Sequence, residues 1–265
     1  MNYWLKNYLD QDHIKTFIED DKLQAVYDDL TKKDPQVYSP NAGTFSSFLF
    51  DELNMDILEV LSYLDTIYLG QFKGVTTLKN LPILGNIDRV WRYALIDSSI
   101  QSVQVESPRT VLEHGAFAKA PNLRKAIICN STTALPIALF NGSGIEEFDM
   151  PSRCTVVPRY MFYDCTNLKR VTLNEGIQSI KYAAFGNCTS LSSITIPASV
   201  EYITPEAFDG CTALTDVVFN RGSNITLEED SLPNNTNLVV TCNSQDTHLI
   251  KRLHELNFVV KEINS

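Results

Sequence analysis

Between Met161 and Phe219 the apolar positions recur every 23 residues, as Phe162, Phe185 and Phe208, as Cys165, Cys188 and Cys211, and as Leu168, Leu191 and Leu214. The same interval relates Val171/Leu173, Ile194/Ile196 and Val217/Phe219, pairs in which one polar or outward residue separates two apolar ones. A fixed period of roughly 20–50 residues marks a stacked-repeat architecture. Alternation of period two inside each unit marks a short strand with both apolar side chains facing inward. Each unit thus predicts one rung of a parallel sheet.

The template extends into sequence that looks irregular. Stepping back from Phe162 gives Phe140, Phe117, Leu95 and Phe72 at intervals of 22, 23, 22 and 23, and stepping forward from Phe208 gives Leu232 after 24. The strand pairs follow in register as Leu81/Ile83, Val103/Val105, Ala126/Ile128 and Phe148/Met150. Five residues before each rung stands another apolar residue: Ile67, Val90, Leu112, Leu135, Val157, Ile180, Ile203 and Leu227. Eight positions obeying one rule predict one continuous solenoid over residues 66–242.

Residues 1–65 follow a different pattern. Leu23, Val26, Tyr27 and Leu30 sit at helical spacing, as do Leu49, Leu53, Ile57, Val60, Leu61 and Leu64, so this segment predicts helices that cover the first coil and its otherwise unpaired strand edge. Asp10, Asp12 and Asp21 are suitable caps, and the stretch from Lys32 to Thr44 is a loop or hinge. Over residues 243–265, Leu249, Leu253 and Leu256 predict a short amphipathic helix with Ser244 as its cap, followed by a strand through "FVVKEI".

The run from Leu191 to Leu214, read as Leu-x2-Ile-x-Ile-Pro-x-Ser-Val-x2-Ile-x4-Phe-x2-Cys-x2-Leu, resembles the BspA-type (Treponema-type) leucine-rich repeat of bacterial surface and treponemal proteins. The resemblance spans roughly residues 67–242 and is strongest in the last three units. It implies an α/β repeat solenoid with a parallel sheet of about seven short strands, a helical N-terminal segment and a short helix–strand C-terminal cap. It also implies action by binding other proteins, and it brings no catalytic residues. The segment "NMDILEVLSYLDTI" resembles the leader before such repeats in some bacteriophage-encoded members, and the C-terminal ending resembles the family's usual closure.

Composition narrows the partner more than the fold. The 265-residue chain has a formal net charge of −10, and residues 1–65 hold 13 acids against five lysines, a net −8. An acidic module of this kind is a docking element for a basic partner, and it makes nucleic-acid binding an unfavourable expectation. DNA mimicry by the acidic helices is a weaker alternative. No run approaches the ~18 apolar residues of a membrane span, and Met1 to Lys15 lacks the form of a secretory leader. A cytoplasmic location follows as the expectation, or a virion if the chain is phage-encoded.

Candidate chemistry is sparse. Three of the six cysteines share one repeated position and read as buried reduced thiols. With no Cys-x2-Cys pair, zinc is not expected, and no cofactor or small-molecule substrate is implied. His13, His114, His248 and His254 share no motif with a nucleophile. "NGSGIEE" at Asn141–Glu147 lacks the lysine of a phosphate loop and reads as a tightened turn. The sequons at Asn130, Asn141, Asn187, Asn224 and Asn234 read as turn residues.

The outward strand positions carry the most specific expectation. Arg124, Lys125 and Ile127 form one row, Glu146, Glu147 and Asp149 the next, and Lys169, Arg170 and Thr172 the third. Neighbouring parallel strands lie ~4.8 Å apart, so basic, acidic and basic rows should interleave. Solvated pairs that merely fix register are the simpler reading. The functional reading is a protein-recognition patch made of Arg124, Lys125, Glu146, Glu147, Asp149, Lys169 and Arg170. The expected function is a non-enzymatic protein-interaction module, with a structural part of a larger assembly such as a phage virion as the alternative.

Overall fold

The computed structural model describes residues 58, 61, 66, 67, 69–222, 224–233 and 236–264. The predicted helices of residues 1–65 lie outside these residues, apart from Leu58 and Leu61, both helical. Leu61 is fully buried in the core, and its carbonyl accepts a hydrogen bond from Asn86 Nδ2 at 2.9 Å.

In chain order the strands are β1 (Thr66–Ile67), β2 (Asn80–Ile83), β3 (Arg89–Val90), β4 (Ser102–Val105), β5 (Val111–Leu112), β6 (Lys125–Ile128), β7 (Glu147–Asp149) and β8 (Val156–Val157). There follow β9 (Arg170–Thr172), β10 (Ser179–Ile180), β11 (Ser193–Ile196), β12 (Tyr202–Ile203), β13 (Asp216–Phe219), β14 (Thr226–Leu227) and β15 (Val239–Asn243). Helix α1 (Thr247–Glu255) and β16 (Val259–Ile263) end the chain. Every pairing between described strands is parallel, as a chain of coils turning in one sense requires.

Two rows of strands result. The wide row runs β2-β4-β6-β7-β9 and then β11-β13-β15-β16, and the narrow row runs β1-β3-β5 and then β8-β10-β12-β14. About seven strands were expected, and the described residues hold sixteen, because in seven coils the apolar residue five before the rung sits in a two-residue strand of its own. Ile67 pairs with Val90 and Val90 with Leu112, while Val157, Ile180, Ile203 and Leu227 align in the second segment. Leu135 is buried in register but outside any strand; the following Pro136 has no N–H to give a ladder.

The rung residues are buried as expected. Phe140, Phe162, Phe185 and Phe208 stack at successive centroid separations of 5.6, 5.3 and 4.9 Å, with ring planes within 16° of parallel. Phe117 meets Phe140 at 5.9 Å with a 31° tilt. Cys165, Cys188 and Cys211 form a second internal ladder, each thiol donating to the carbonyl of the preceding coil's Phe140, Phe162 or Phe185 at 3.0, 3.2 and 3.0 Å. All six cysteines are free. Burial pushes the Cys165 thiol up to about 12 and that of Cys188 upward as well, so these positions behave as small apolar groups.

A third inter-coil ladder was not predicted. In all seven coils from Phe72 to Phe208, the residues two before and two after the rung have positive φ: Gly70, Tyr93, Gly115, Ala138, Tyr160, Ala183 and Glu206 on one side, and Gly74, Asp97, Lys119, Gly142, Asp164, Asn187 and Gly210 on the other. A non-glycine residue there is strained by about 1–3 kcal/mol. The alternation of hand turns the N–H groups of this corner toward the next coil. Tyr93 donates to Gly115 at 2.9 Å, Phe162 to Ala184 at 2.8 Å and Asp164 to Gly186 at 2.9 Å. The bonds beside the strands run both ways, Lys169 N–H donating back to Glu146 at 2.8 Å and Met150 N–H forward to Thr172 at 3.0 Å. Each coil is thus bonded to the next at its corner as well as through its strands, which offsets the strain.

At the C-terminus, α1 buries Leu249 and Leu253, and β16 adds to β15 over five register pairs. Ser244 does not cap α1 as expected. Asp246 occupies the cap position without a side-chain cap bond, and Ser244 Oγ donates to Asn264 Oδ1 at 2.6 Å, tying the end of β15 to the end of β16.

Candidate recognition surface

The three charged rows lie on adjacent strands of the wide row, on the face opposite the buried residues. Strand alternation explains this: Ala126, Phe148 and Val171 point into the core, so Lys125, Glu147, Asp149 and Arg170 point out. Lys125 registers with Glu147 and Glu147 with Arg170. Arg124, Glu146 and Lys169 stand one residue before each strand and extend the stripe.

All seven predicted residues are ion-paired, in two adjacent groups, one centred on Glu146 and one on Glu147. Arg124 Nε reaches Glu146 at 3.3 Å and Lys169 Nζ reaches the same carboxylate from the other side at 2.9 Å. Lys125 Nζ lies 3.6 Å from Glu147, and Arg170 bridges Glu147 at 3.0 Å and Asp149 at 2.8 Å. The Lys169 hydrogen bond and charge hold the Glu146 carboxyl below the ordinary glutamate value. The Arg170 hydrogen bond and charge do the same for Glu147. Asp149 is lowered first by the Thr172 hydroxyl and then by Arg170. Solvent screens every one of these pairs.

Gly144 sets the spacing at the stripe's near end. A Cβ there would stand 2.0 Å from Arg124 Nη1 and 2.2 Å from the Pro121 carbonyl oxygen. The same Nη1 donates to the Pro121 carbonyl at 2.6 Å and the Gly144 carbonyl at 3.1 Å. The "NGSGIEE" segment is therefore a turn that fixes the Arg124 guanidinium, in keeping with its reading as a tightened turn.

Sequence reasoning did not anticipate a narrowing of the ladder within the stripe. Strands β2 and β4 share four register pairs, as do β4 and β6, whereas β6 and β7 share one, Lys125 with Glu147. The inward side chain changes from Ala126 to Phe148 across this step, and Phe148 packs against Phe140 and Phe162 at 5.0 and 5.7 Å. An open groove of about 500 Å³ results, bordered by Gln104, Glu106, Lys125, Ile127 and Asp149. Ile127 is 49% exposed in the middle of a charged face. Other cross-coil contacts also escaped prediction: Arg89 with Glu113, Tyr182 with Glu206 at 2.6 Å, and Tyr202 with Glu228. Their 24- and 26-residue separations are the signal that could have found them. The Glu206 hydrogen bond pushes the Tyr182 hydroxyl up to about 12.

Among the described residues no group of His, Cys, Asp and Glu is arranged to hold a metal ion, and no helix is long and apolar enough to cross a membrane.

No curated protein sequence matches the chain. Similar solved structures include a leucine-rich repeat protein of Eubacterium ventriosum, with 21% identity over 63% of this chain and 49% of that one, at a TM-score of 0.38. The T. pallidum leucine-rich repeat protein shows 18% identity over 76% of this chain and 90% of its own, at 0.37. A leucine-rich cell surface protein of Faecalibacterium prausnitzii shows 15% identity over 77% and 78%, at 0.30. The chain thus spans about half the length of the E. ventriosum protein. The family model for the BspA type leucine-rich repeat region matches residues 43–169 and 135–250, and with most of its length so covered, the chain belongs to the BspA-type leucine-rich repeat family.

Proposed function

We propose that this protein is a non-enzymatic protein-interaction module whose recognition surface is the charged stripe and the adjoining groove. The observation that carries this reading is the narrowing of the ladder between β6 and β7 to the single register pair Lys125–Glu147. A stripe serving register alone belongs on a full ladder, and here the ion pairs cross the step where the ladder is thinnest. Ile127 is exposed at an outward position of β6, and Lys125 and Asp149 border the same groove. An apolar centre with a charged rim is the anatomy of a specific protein interface. We further propose a reducing location such as the cytoplasm, which suits six free cysteines.

Reversing the middle row tests this reading. A partner captured by the wild-type protein should be lost by the doubly substituted Glu146→Lys, Glu147→Lys protein, while circular dichroism shows the repeat region still folded. Equal affinity of both proteins at low salt, where exposed charges act most strongly, would return the stripe to a role in register alone.

A further inference from the structure

The narrow row breaks off at β5 and resumes at β8, and residues 133–136 run between them without joining either. Elsewhere in this row one bond recurs: the residue after the buried strand residue donates its N–H to the preceding coil. Trp91 donates to Ile67 and Glu113 to Val90, both at 2.9 Å, and Lys181 donates to Val157 and Thr204 to Ile180, both at 3.0 Å. In the intervening coils this place is held by Pro136 and Pro158, which have no N–H to give. The carbonyls of Leu112 and Leu135 are thereby left without their ladder donors.

Strand β5 therefore presents an edge inside the solenoid. Val111 N–H donates back to Asp88 at 2.7 Å and Glu113 N–H back to Val90, so alternation turns the N–H and carbonyl of Leu112 toward residues 133–136. Among the described residues neither group meets a backbone partner there, and residues 133–136 make no backbone hydrogen bond to the coil on either side. The stretch is held at its ends, where Thr132 N–H donates to Cys129 and Gly115 N–H donates to Ile137, and by the buried Leu135 side chain. Between it and β5 lies a groove of about 400 Å³, a volume typical of ligand sites. Val111, 46% exposed, lines it together with Leu112, Ile128 and Leu135. The titratable groups at its border are Glu113, already paired with Arg89, and His114, so charge is not what selects the occupant.

The unmatched backbone groups select it. An apolar molecule would cover the Leu112 N–H and carbonyl without pairing them, at a desolvation cost, and a helix has its own backbone groups bonded to one another. An extended chain offers N–H and carbonyl groups at strand spacing, with alternate side chains for the apolar lining. We propose that an extended segment of a partner protein pairs with Leu112 in this opening, adding the strand that Pro136 prevents the chain from forming itself. This deepens the reading of a protein-interaction module and rests on it for the class of partner. Val105 and Ile128 line both this groove and the one beside the stripe, so a single segment can reach both.

Residues 177–184 carry β10, which pairs with β8 on one side and β12 on the other, and a fluorescein-labelled peptide of that sequence is the probe. In the solenoid its Lys181 N–H donates to Val157; in the groove the same N–H stands where Pro136 has none, opposite the Leu112 carbonyl. Fluorescence anisotropy with the full chain should show this peptide binding at least tenfold more tightly than the same peptide N-methylated at Lys181. Pro136→Ala supplies the missing donor from within the chain, so it should raise the urea midpoint and weaken the peptide tenfold or more. The Glu146→Lys, Glu147→Lys protein should bind the peptide as wild type does, which lets the stripe and the opening fail separately. Three results would overturn the proposal: no binding or equal binding of the two peptides, an affinity in Pro136→Ala within twofold of wild type, or a wild-type dimer in sedimentation velocity that Pro136→Ala dissolves, which would make a second copy the occupant. If Pro136→Ala fails to fold, Val111→Asp, which sets a charge in the exposed lining, decides by the same tenfold criterion.

Discussion

Phe185 is enclosed by its own equivalents, stacked on Phe162 at 5.3 Å and on Phe208 at 4.9 Å, and it is fully buried. Its carbonyl also accepts the Cys211 thiol. Truncation leaves a cavity that the stack cannot close, since both neighbours are held by the corner hydrogen bonds of their coils. Phe185→Ala should therefore lose about 3–5 kcal/mol in urea unfolding. An unchanged midpoint would show that the ring does not sit in the stack. These rung positions are legible in the sequence because each is apolar in every coil at intervals of 22 to 24. The left-handed positions on either side are not. Their conformation is imposed by bonds to the next coil, so Tyr93, Lys119, Asn187 and Glu206 share it without sharing any chemistry. The glycines at positions 70, 74, 115, 142 and 210 were the available hint.

At the scale of the element, the stripe shows what a register can and cannot predict. Once the inward pairs were placed, the outward rows of β6, β7 and β9 followed by alternation, and the five ion pairs followed from charge. The groove did not, because it depends on how Phe148 and Ala126 fill the space beneath the sheet, which the two-state apolar pattern ignores. The stripe makes stability depend on pH in a definite direction. Glu146, Glu147 and Asp149 have folded-state values below their ordinary ones. Their contribution is present above the unfolded carboxylate range, about pH 4 to 5, and is lost as pH falls through the depressed folded values. The unfolding midpoint of wild type should fall between pH 5 and 3 more steeply than that of the Glu146→Gln, Glu147→Gln protein, and the difference should shrink in 1 M salt. Parallel acid profiles would show that the pairs are too well screened to matter.

For the whole molecule, a stack of parallel coils must end on a strand edge, and β16 presents one beyond β15 among the described residues. Ser244 N–H donates to the Ile263 carbonyl, so Val259, Lys261 and Ile263 direct their backbone groups toward β15 and Val260 and Glu262 direct theirs outward. A second copy pairing antiparallel over the full strand must set Val260 against Glu262, which places Lys261 against Lys261 at the centre, where backbones approach to about 4.5 Å. Either shifted register leaves part of the strand unpaired. Val259 is 59% exposed and Ile263 39%, so without the lysine this face would be an apolar edge open to association. Lys261 acts as the charge that keeps the edge single, a common device on exposed strands. Lys261→Val should then shift the protein toward a dimer at rising concentration in sedimentation velocity, while wild type stays monomeric. A variant that remains monomeric across the same range would place the safeguard elsewhere, in the twist of the edge or in the Ser244–Asn264 tie that holds its end.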